Sequence, residues 1–244
     1  MPYFAPVTFV AATPEYDRST EAVPARRSGR DAMIDAAERL VAEHGLAAMS
    51  LREVQVAAGQ RNKSAAQYHF GTREGLIEAV LLARMAPAND RRHELLAAAT
   101  ADGETPTVRQ LVEALVRPVA EHTVLASNRS HWARFLMQCS SDPTLSEVVR
   151  RSVEGEAYRR LHQLLIESVD HVPEALRVRR VEHAVGLAFM SLAAAEQARD
   201  DGATPAPPAA IQVEDLVDQC VGLLLAPPSA ATIAALQLDD RPPA

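Results

Sequence analysis

Apolar positions recur at helical spacing along most of the chain. Between Gly29 and Gly45, residues Met33, Ile34, Ala37, Leu40 and Val41 form one stripe, and Asp31, Asp35, Glu38, Arg39 and Glu43 take the other side. That spacing predicts an amphipathic helix, stopped by Gly45. Ser50-Leu51-Arg52-Glu53 has the form of a capping box and leads into Leu51, Val54 and Ala57, a short second helix ending near Gly59. Gln60-Arg61-Asn62 supplies turn and cap residues, Asn62 being the expected N-cap, and a third brief helix runs from Lys63 to Phe70 before Gly71. Thr72 then caps a fourth helix with Leu76, Ile77, Val80, Leu81 and Met85 on its apolar side. Further helices are expected at about 107–127, kinked or interrupted at Pro118, and at about 130–139, 143–170, 173–200 and 211–226. No segment alternates with period two, so the fold class is all-α.

The second and third helices, joined by a tight glycine turn, make a helix-turn-helix. The expected organisation is an N-terminal arm over 1–25, disordered because it carries four prolines and no helical period. A helix-turn-helix domain over 26–72 follows, then a larger helical domain over 73–226 and a flexible, proline-bearing tail over 227–244.

Composition narrows the class without deciding it. At 244 residues and 26.4 kDa the chain has room for one generous core or two small ones. Its longest nearly unbroken apolar stretch, Ala184 to Ala195, falls well short of the roughly 20 residues that span a bilayer. The start, Met1-Pro2-Tyr3-Phe4, carries no basic leader before an apolar run, so the expected location is the cytoplasm and no membrane partner is expected. Cys139 and Cys220 stand far apart, which argues against a disulfide framework and a zinc site; no cofactor or metal is expected.

Charge points to one end. The chain carries 25 basic and 32 acidic residues, yet residues 26–86 hold nine basic and seven acidic ones. Basic character is confined to the helix-turn-helix region, so a polyanion would bind there only. On the third helix Lys63, Ser64, Gln67 and Tyr68 share one face and Ala66 and Phe70 the opposite one. Lysine, hydroxyl and amide groups suit base edges and phosphates, although a polar helix facing water would look the same in isolation.

The runs Asp31 to Gly45, Met49 to Val54, Ala58-Gly59, and Tyr68-His69-Phe70-Gly71-Thr72-Arg73-Glu74 together resemble the N-terminal domain of TetR-family transcriptional regulators, over about residues 29–82. The link after Gly59 is one residue longer than is usual there, and Ala66 and Gln67 replace a common leucine and tyrosine. The resemblance implies a homodimer that binds a near-palindromic operator, most simply as a repressor, and is released by a small-molecule effector. It implies that Ser50, Tyr68, His69 and Arg73 cap helices or touch the phosphate backbone, and that Asn62 to Gln67 lie in the recognition helix. By charge, Arg27, Arg30, Arg52 and Arg73 are expected to neutralise phosphates, with Lys63, Ser64 and Gln67 discriminating bases. Arg61 and Thr72 complete the DNA-facing set.

A ligand pocket is expected around His131, Trp132, Phe135, Met137 and Gln138, with Phe189 facing them, although the same residues suit an ordinary core. Two stripes are candidates for the dimer face: Leu176, Val181, Ala184, Val185, Ala188 and Leu192; and Val213, Leu216, Val217, Cys220, Leu223 and Leu224. Periodicity cannot separate that face from the chain's own core. No nucleophile elbow, phosphate loop, dinucleotide fingerprint or metalloprotease motif occurs, so an enzyme is not expected. A helical adaptor binding only protein is the remaining alternative.

Overall fold

The structure, a computed structural model, describes residues 28–127, 129–202 and 207–239. The arm over 1–25, Arg27 and the end of the tail lie outside the described residues. Among the described residues there is no strand. The α-helices are α1 (Gly29–His44), α2 (Leu51–Ala57), α3 (Ala65–Phe70), α4 (Arg73–Ala99), α5 (Val108–His122), α6 (Trp132–Ser141), α7 (Ser146–Val153), α8 (Glu156–Ser168), α9 (Glu174–Asp200), α10 (Ala209–Leu225) and α11 (Ala230–Asp239).

The amino-terminal helices form for the reasons their sequence suggests. Ser28, Ser50 and Thr72 cap α1, α2 and α4, each side-chain oxygen accepting from the backbone N–H three residues on at 3.0–3.2 Å. Gly45 and Gly71 close α1 and α3 at φ 82° and 69°, in the left-handed region that glycine enters at least cost. α1, α2, α3 and the first half of α4 pack together through Met33, Ile34, Ala37, Val54, Ala66, Phe70, Leu76 and Ile77.

Beyond Met85 the structure departs from the expected boundaries. α4 continues through Pro87 to Ala99 because Ala88, Arg92 and Leu96 are buried against α5, α7 and α8, and that packing outweighs a cost of about 3 kcal/mol for proline inside a helix. The helix expected over 143–170 is instead a 3₁₀ turn (Pro143–Leu145), α7 and α8: Asp142 caps a new start at Pro143, and Gly155 sits at the N-cap of α8. The tail is not wholly irregular. Ser229 accepts from the Thr232 N–H at 3.2 Å and starts α11, whose alanines and leucines favour a helix.

α5 also continues past its proline without interruption. Pro118 has no N–H, which leaves the Ala114 carbonyl four residues earlier without its helical donor. Arg92 of α4 fills the vacancy, its Nε donating to that carbonyl at 3.1 Å. Arg92 is fully buried, hydrogen-bonds Asn89, and lies 5.4 Å from the centre of the Tyr158 ring on α8. Burial lowers its pKa to about 10, so it remains charged at neutral pH.

α9 and α10 carry the two stripes proposed for a dimer. Here the correction is clear: Val181, Ala184, Ala188 and Leu192 pack with Val213, Leu216, Val217, Cys220 and Leu224 inside the chain's own core. The large apolar side chains these helices leave exposed are others: Val178, Met190, Ile211 and Leu225. Among the described residues no single helix is long and apolar enough to cross a membrane. α10 and part of α11 reach that length only as a pair bent by 48°, and α10 is already packed on one side.

Candidate nucleic-acid interface

The turn between α2 and α3 is built from backbone bonds. The Gln60 N–H donates to the Gln55 carbonyl at 3.0 Å, and Gly59 takes a φ of 64°. Asn62 Oδ1 then accepts both the N–H and the hydroxyl of Ser64, at 3.1 and 2.9 Å. This side-chain turn competes with helix, so α3 begins at Ala65 and Ser64, not Asn62, occupies its N-cap position. Lys63 and Ser64 therefore stand on the turn and not on the helix.

α3 is pinned from beneath by Ala65, Ala66 and Phe70, all buried. Asn62, Lys63, Ser64, Gln67, Tyr68 and His69 are exposed, Tyr68 at 85%. The Tyr68 and His69 rings meet edge-on with centroids 5.2 Å apart. Arg30 reaches across from α1 and places its guanidinium carbon 5.6 Å from the centre of the Phe70 ring. Arg52 and Arg61 are exposed beside this surface. From Val54 to Arg73 no carboxylate occurs in the sequence, so the projecting face is cationic and polar throughout.

One expected role changes. Arg73 is not free to meet a phosphate: its Nε donates to the Met49 carbonyl at 3.0 Å and its Nη2 to the Leu46 carbonyl at 2.7 Å. It fastens the chain just ahead of α2 to the start of α4. Thr72 and Ser50 have their oxygens engaged as helix caps. The close packing of α3 on α4 also needs Gly75, whose added Cβ would stand 2.2 Å from the Phe70 carbonyl oxygen.

The expected ligand pocket is largely core. Trp132 and Phe135 are buried and stacked, 6.1 Å between centroids; Phe189 is buried on α9; Met137 is half-buried; Gln138 is exposed. Of these residues only His131 lines either of two cavities in the structure. The larger, about 1110 Å³, is a polar cleft with walls that include Glu38 of α1, Arg84 of α4, His131 and Arg134 at the start of α6, and Asp200 of α9. The smaller, about 410 Å³, lies between α9 and α10 and is lined by Leu192, Ala195, Ile211, Val213 and others.

The cleft exposes a residue whose part the sequence disguised. The helical pattern puts Glu38 on the water side of α1, but only 5% of its side chain is exposed. Its Oε2 accepts from Arg84 Nε at 2.6 Å and its Oε1 from the His131 backbone N–H at 2.9 Å. Spacing held the clue, since Glu38 lies four residues after Ile34 and three before Val41, on the edge of the buried stripe. Both cysteines are buried; desolvation pushes Cys139 up to about 12 and Cys220 up to about 11, so neither is a nucleophile near neutral pH.

Comparison with known proteins agrees with this geometry. Residues 33–80 match the family model of bacterial regulatory proteins, tetR family. No curated protein matches the chain. Among solved structures, AmtR of Mycobacterium smegmatis is similar at 21% identity and a TM-score of 0.52, covering 92% of this chain and 100% of that one. A tetR-family transcription regulator from Shewanella sp. PV-4 is similar at 16% identity and a TM-score of 0.55, covering 81% and 96%. The fatty acid degradation regulator FadR from Bacillus halodurans is similar at 17% identity and a TM-score of 0.54, again covering 81% and 96%. At these identities the structural likeness speaks for the fold, and the match over 33–80 speaks for α1 to α4. Residues 33–80 are thus similar to the bacterial regulatory proteins of the tetR family, and the chain as a whole shares the fold of these solved structures.

Proposed function

We propose that the chain is a ligand-responsive repressor that binds a palindromic operator as a homodimer and releases it when a small-molecule effector binds. The observation that carries the reading is α3: three buried anchors and, around them, a projecting face of Lys63, Gln67, Tyr68 and His69 with no carboxylate. Residues 26–72 act as the reading domain and 73–226 as the effector and dimer domain. Gln67 and Lys63 address base edges, while Arg30, Arg52, Arg61, Tyr68 and His69 address phosphates.

Dimerisation is supported by Val178 and Met190 on α9 and Ile211 and Leu225 on α10, large apolar side chains left uncovered by the chain itself. An effector has two cavities to occupy, the polar cleft against α1 and the apolar one between α9 and α10.

Titration of a mixed pool of short duplexes at rising salt tests the reading. Phosphate-dominated binding gives a log–log slope of about −0.9 per phosphate neutralised, and Arg52→Ala lowers it by about one. Absence of DNA binding even at low salt contradicts the proposal and leaves the protein-binding adaptor.

A further inference from the structure

Two carboxylates from distant parts of the chain meet at the amino end of α6. Glu38 of α1 holds the His131 N–H. Glu196 of α9, fully buried, holds the Arg134 N–H through Oε2 at 3.1 Å, with the Ala133 N–H and the Ser130 hydroxyl beside it. These N–H groups are the ones a helix leaves without internal partners, at the positive end of its dipole. Glu196 Oε1 has neither a partner nor exposure.

The cations around Glu196 are committed elsewhere. Arg134 pairs with Asp200 and donates to Gln197 at 2.6 Å, and its Nη2 lies 2.6 Å from His131 Nδ1. Arg199 donates to the Thr123 and Ser130 carbonyls at 3.4 and 3.2 Å; Arg84 serves Asp35 and Glu38; Arg129 lies 3.7 Å from Asp200. Glu196 thus faces Glu38 with helix N–H groups and one hydroxyl for support. A carboxylate taken out of water with one oxygen orphaned keeps its proton far above the ordinary range. Desolvation, reinforced by the Glu38 charge and opposed by the N–H donors, pushes Glu196 up to about 7. The polar cleft, with Glu38, His131 and Arg134 in its walls, brings solvent to the joint.

We propose that the amino end of α6 is a proton-operated joint between α1 and the rest of the chain, closed when Glu196 is neutral and loosened when it is ionised. With Glu196 protonated, Glu38 is the one carboxylate charge on the N–H groups of the helix end, Asp200 being paired with Arg134 and 3.3 Å from His131 Nδ1, and it ties α1 to α6 through His131. Loss of the proton puts a second negative charge there, which takes over the helix N–H groups and repels Glu38 towards Arg84. The consequence for operator affinity rests on the function proposed above; the joint itself does not.

Trp132, the sole tryptophan, is buried and is the first residue of α6. Its fluorescence in the full chain without DNA is expected to titrate with a single midpoint near 7, and Glu196→Gln is expected to abolish the transition. Glu38→Gln keeps the transition and moves it to lower pH, because one repelling charge is gone. Exchange of the His131 amide, corrected for intrinsic rate, is expected to accelerate above pH 7 in the native chain and not in Glu196→Gln. A fluorescence titration that survives Glu196→Gln belongs to another group, such as His131, and overturns the proposal, as do equal exchange rates. If the joint also serves DNA binding, affinity changes several-fold between pH 6 and 8 in the native chain and stays flat in Glu196→Gln. Failure to bind DNA at any pH counts against the proposed function and leaves the fluorescence and exchange results to decide the joint.

Discussion

Gly75, Arg73 and Ser50 do their work where no DNA need be present. At Gly75 the obstacle to a side chain is the Phe70 backbone, which cannot swing aside as a flexible side chain would. Gly75→Ala is expected to cost about 1–3 kcal/mol, as overpacking usually does, and to shift α3. Arg73→Ala removes two bonds from a charged donor to the Leu46 and Met49 carbonyls, a loss on the order of 2–3 kcal/mol. Ser50→Ala loses one cap, about 1 kcal/mol. The Gln67 side chain is exposed and makes no hydrogen bond among the described residues, so Gln67→Ala leaves stability unchanged. Denaturant titration of the four variants checks the order; an Arg73→Ala variant as stable as the native chain would return that guanidinium to the phosphates. The sequence shows Arg73 as a cation within the run Tyr68 to Glu74, and only the fold shows that two carbonyls hold it.

At the level of elements, α1, α2 and the start of α4 were legible because their apolar stripes agree with a serine or threonine cap, and α9 and α10 from their stripes alone. What the sequence concealed lay where tertiary contacts overrule local signals. Proline disfavours a helix interior, yet Ala88, Arg92 and Leu96 hold α4 together beyond Pro87. The onset of α3 was misplaced because Asn62 spends its side chain on Ser64 in a turn, chemistry that looks the same as a cap until the backbone is known. Arg92 and Pro118 form the most specific pair between elements. Arg92→Met leaves the Ala114 carbonyl buried without a donor, a cost of about 1–3 kcal/mol. Pro118→Ala returns an amide to that carbonyl, so Arg92→Met is expected to cost about 1 kcal/mol less in its presence. Equal costs in both backgrounds would show that Arg92 acts through Asn89 and its packing on Tyr158 and not through the Ala114 carbonyl.

For the molecule as a whole, periodicity identified residues that share a face but not what covers the face. Val181 and Val217 resemble an interface on paper and are core; Met190 and Ile211, on the same helices, are the side chains left in water. Met190→Glu and Ile211→Glu are therefore expected to convert a dimer to a folded monomer in sedimentation, whereas Val217→Glu unfolds the chain. A folded dimer that survives both surface changes would place the interface elsewhere. Spacing left the Trp132 cluster open between pocket and core and could not show the carbonyls that hold Arg73, because burial and hydrogen-bond partners are not written in spacing. The most direct measurement is selection of duplexes from a random pool, at a stated salt concentration, by the native chain and by Gln67→Ala in parallel. The account predicts an inverted repeat with half-sites about one helical turn or a multiple of it apart, and the same spacing with relaxed base preference for Gln67→Ala. An unordered pool from the native chain, or an unaltered motif from the variant, would contradict base reading by α3.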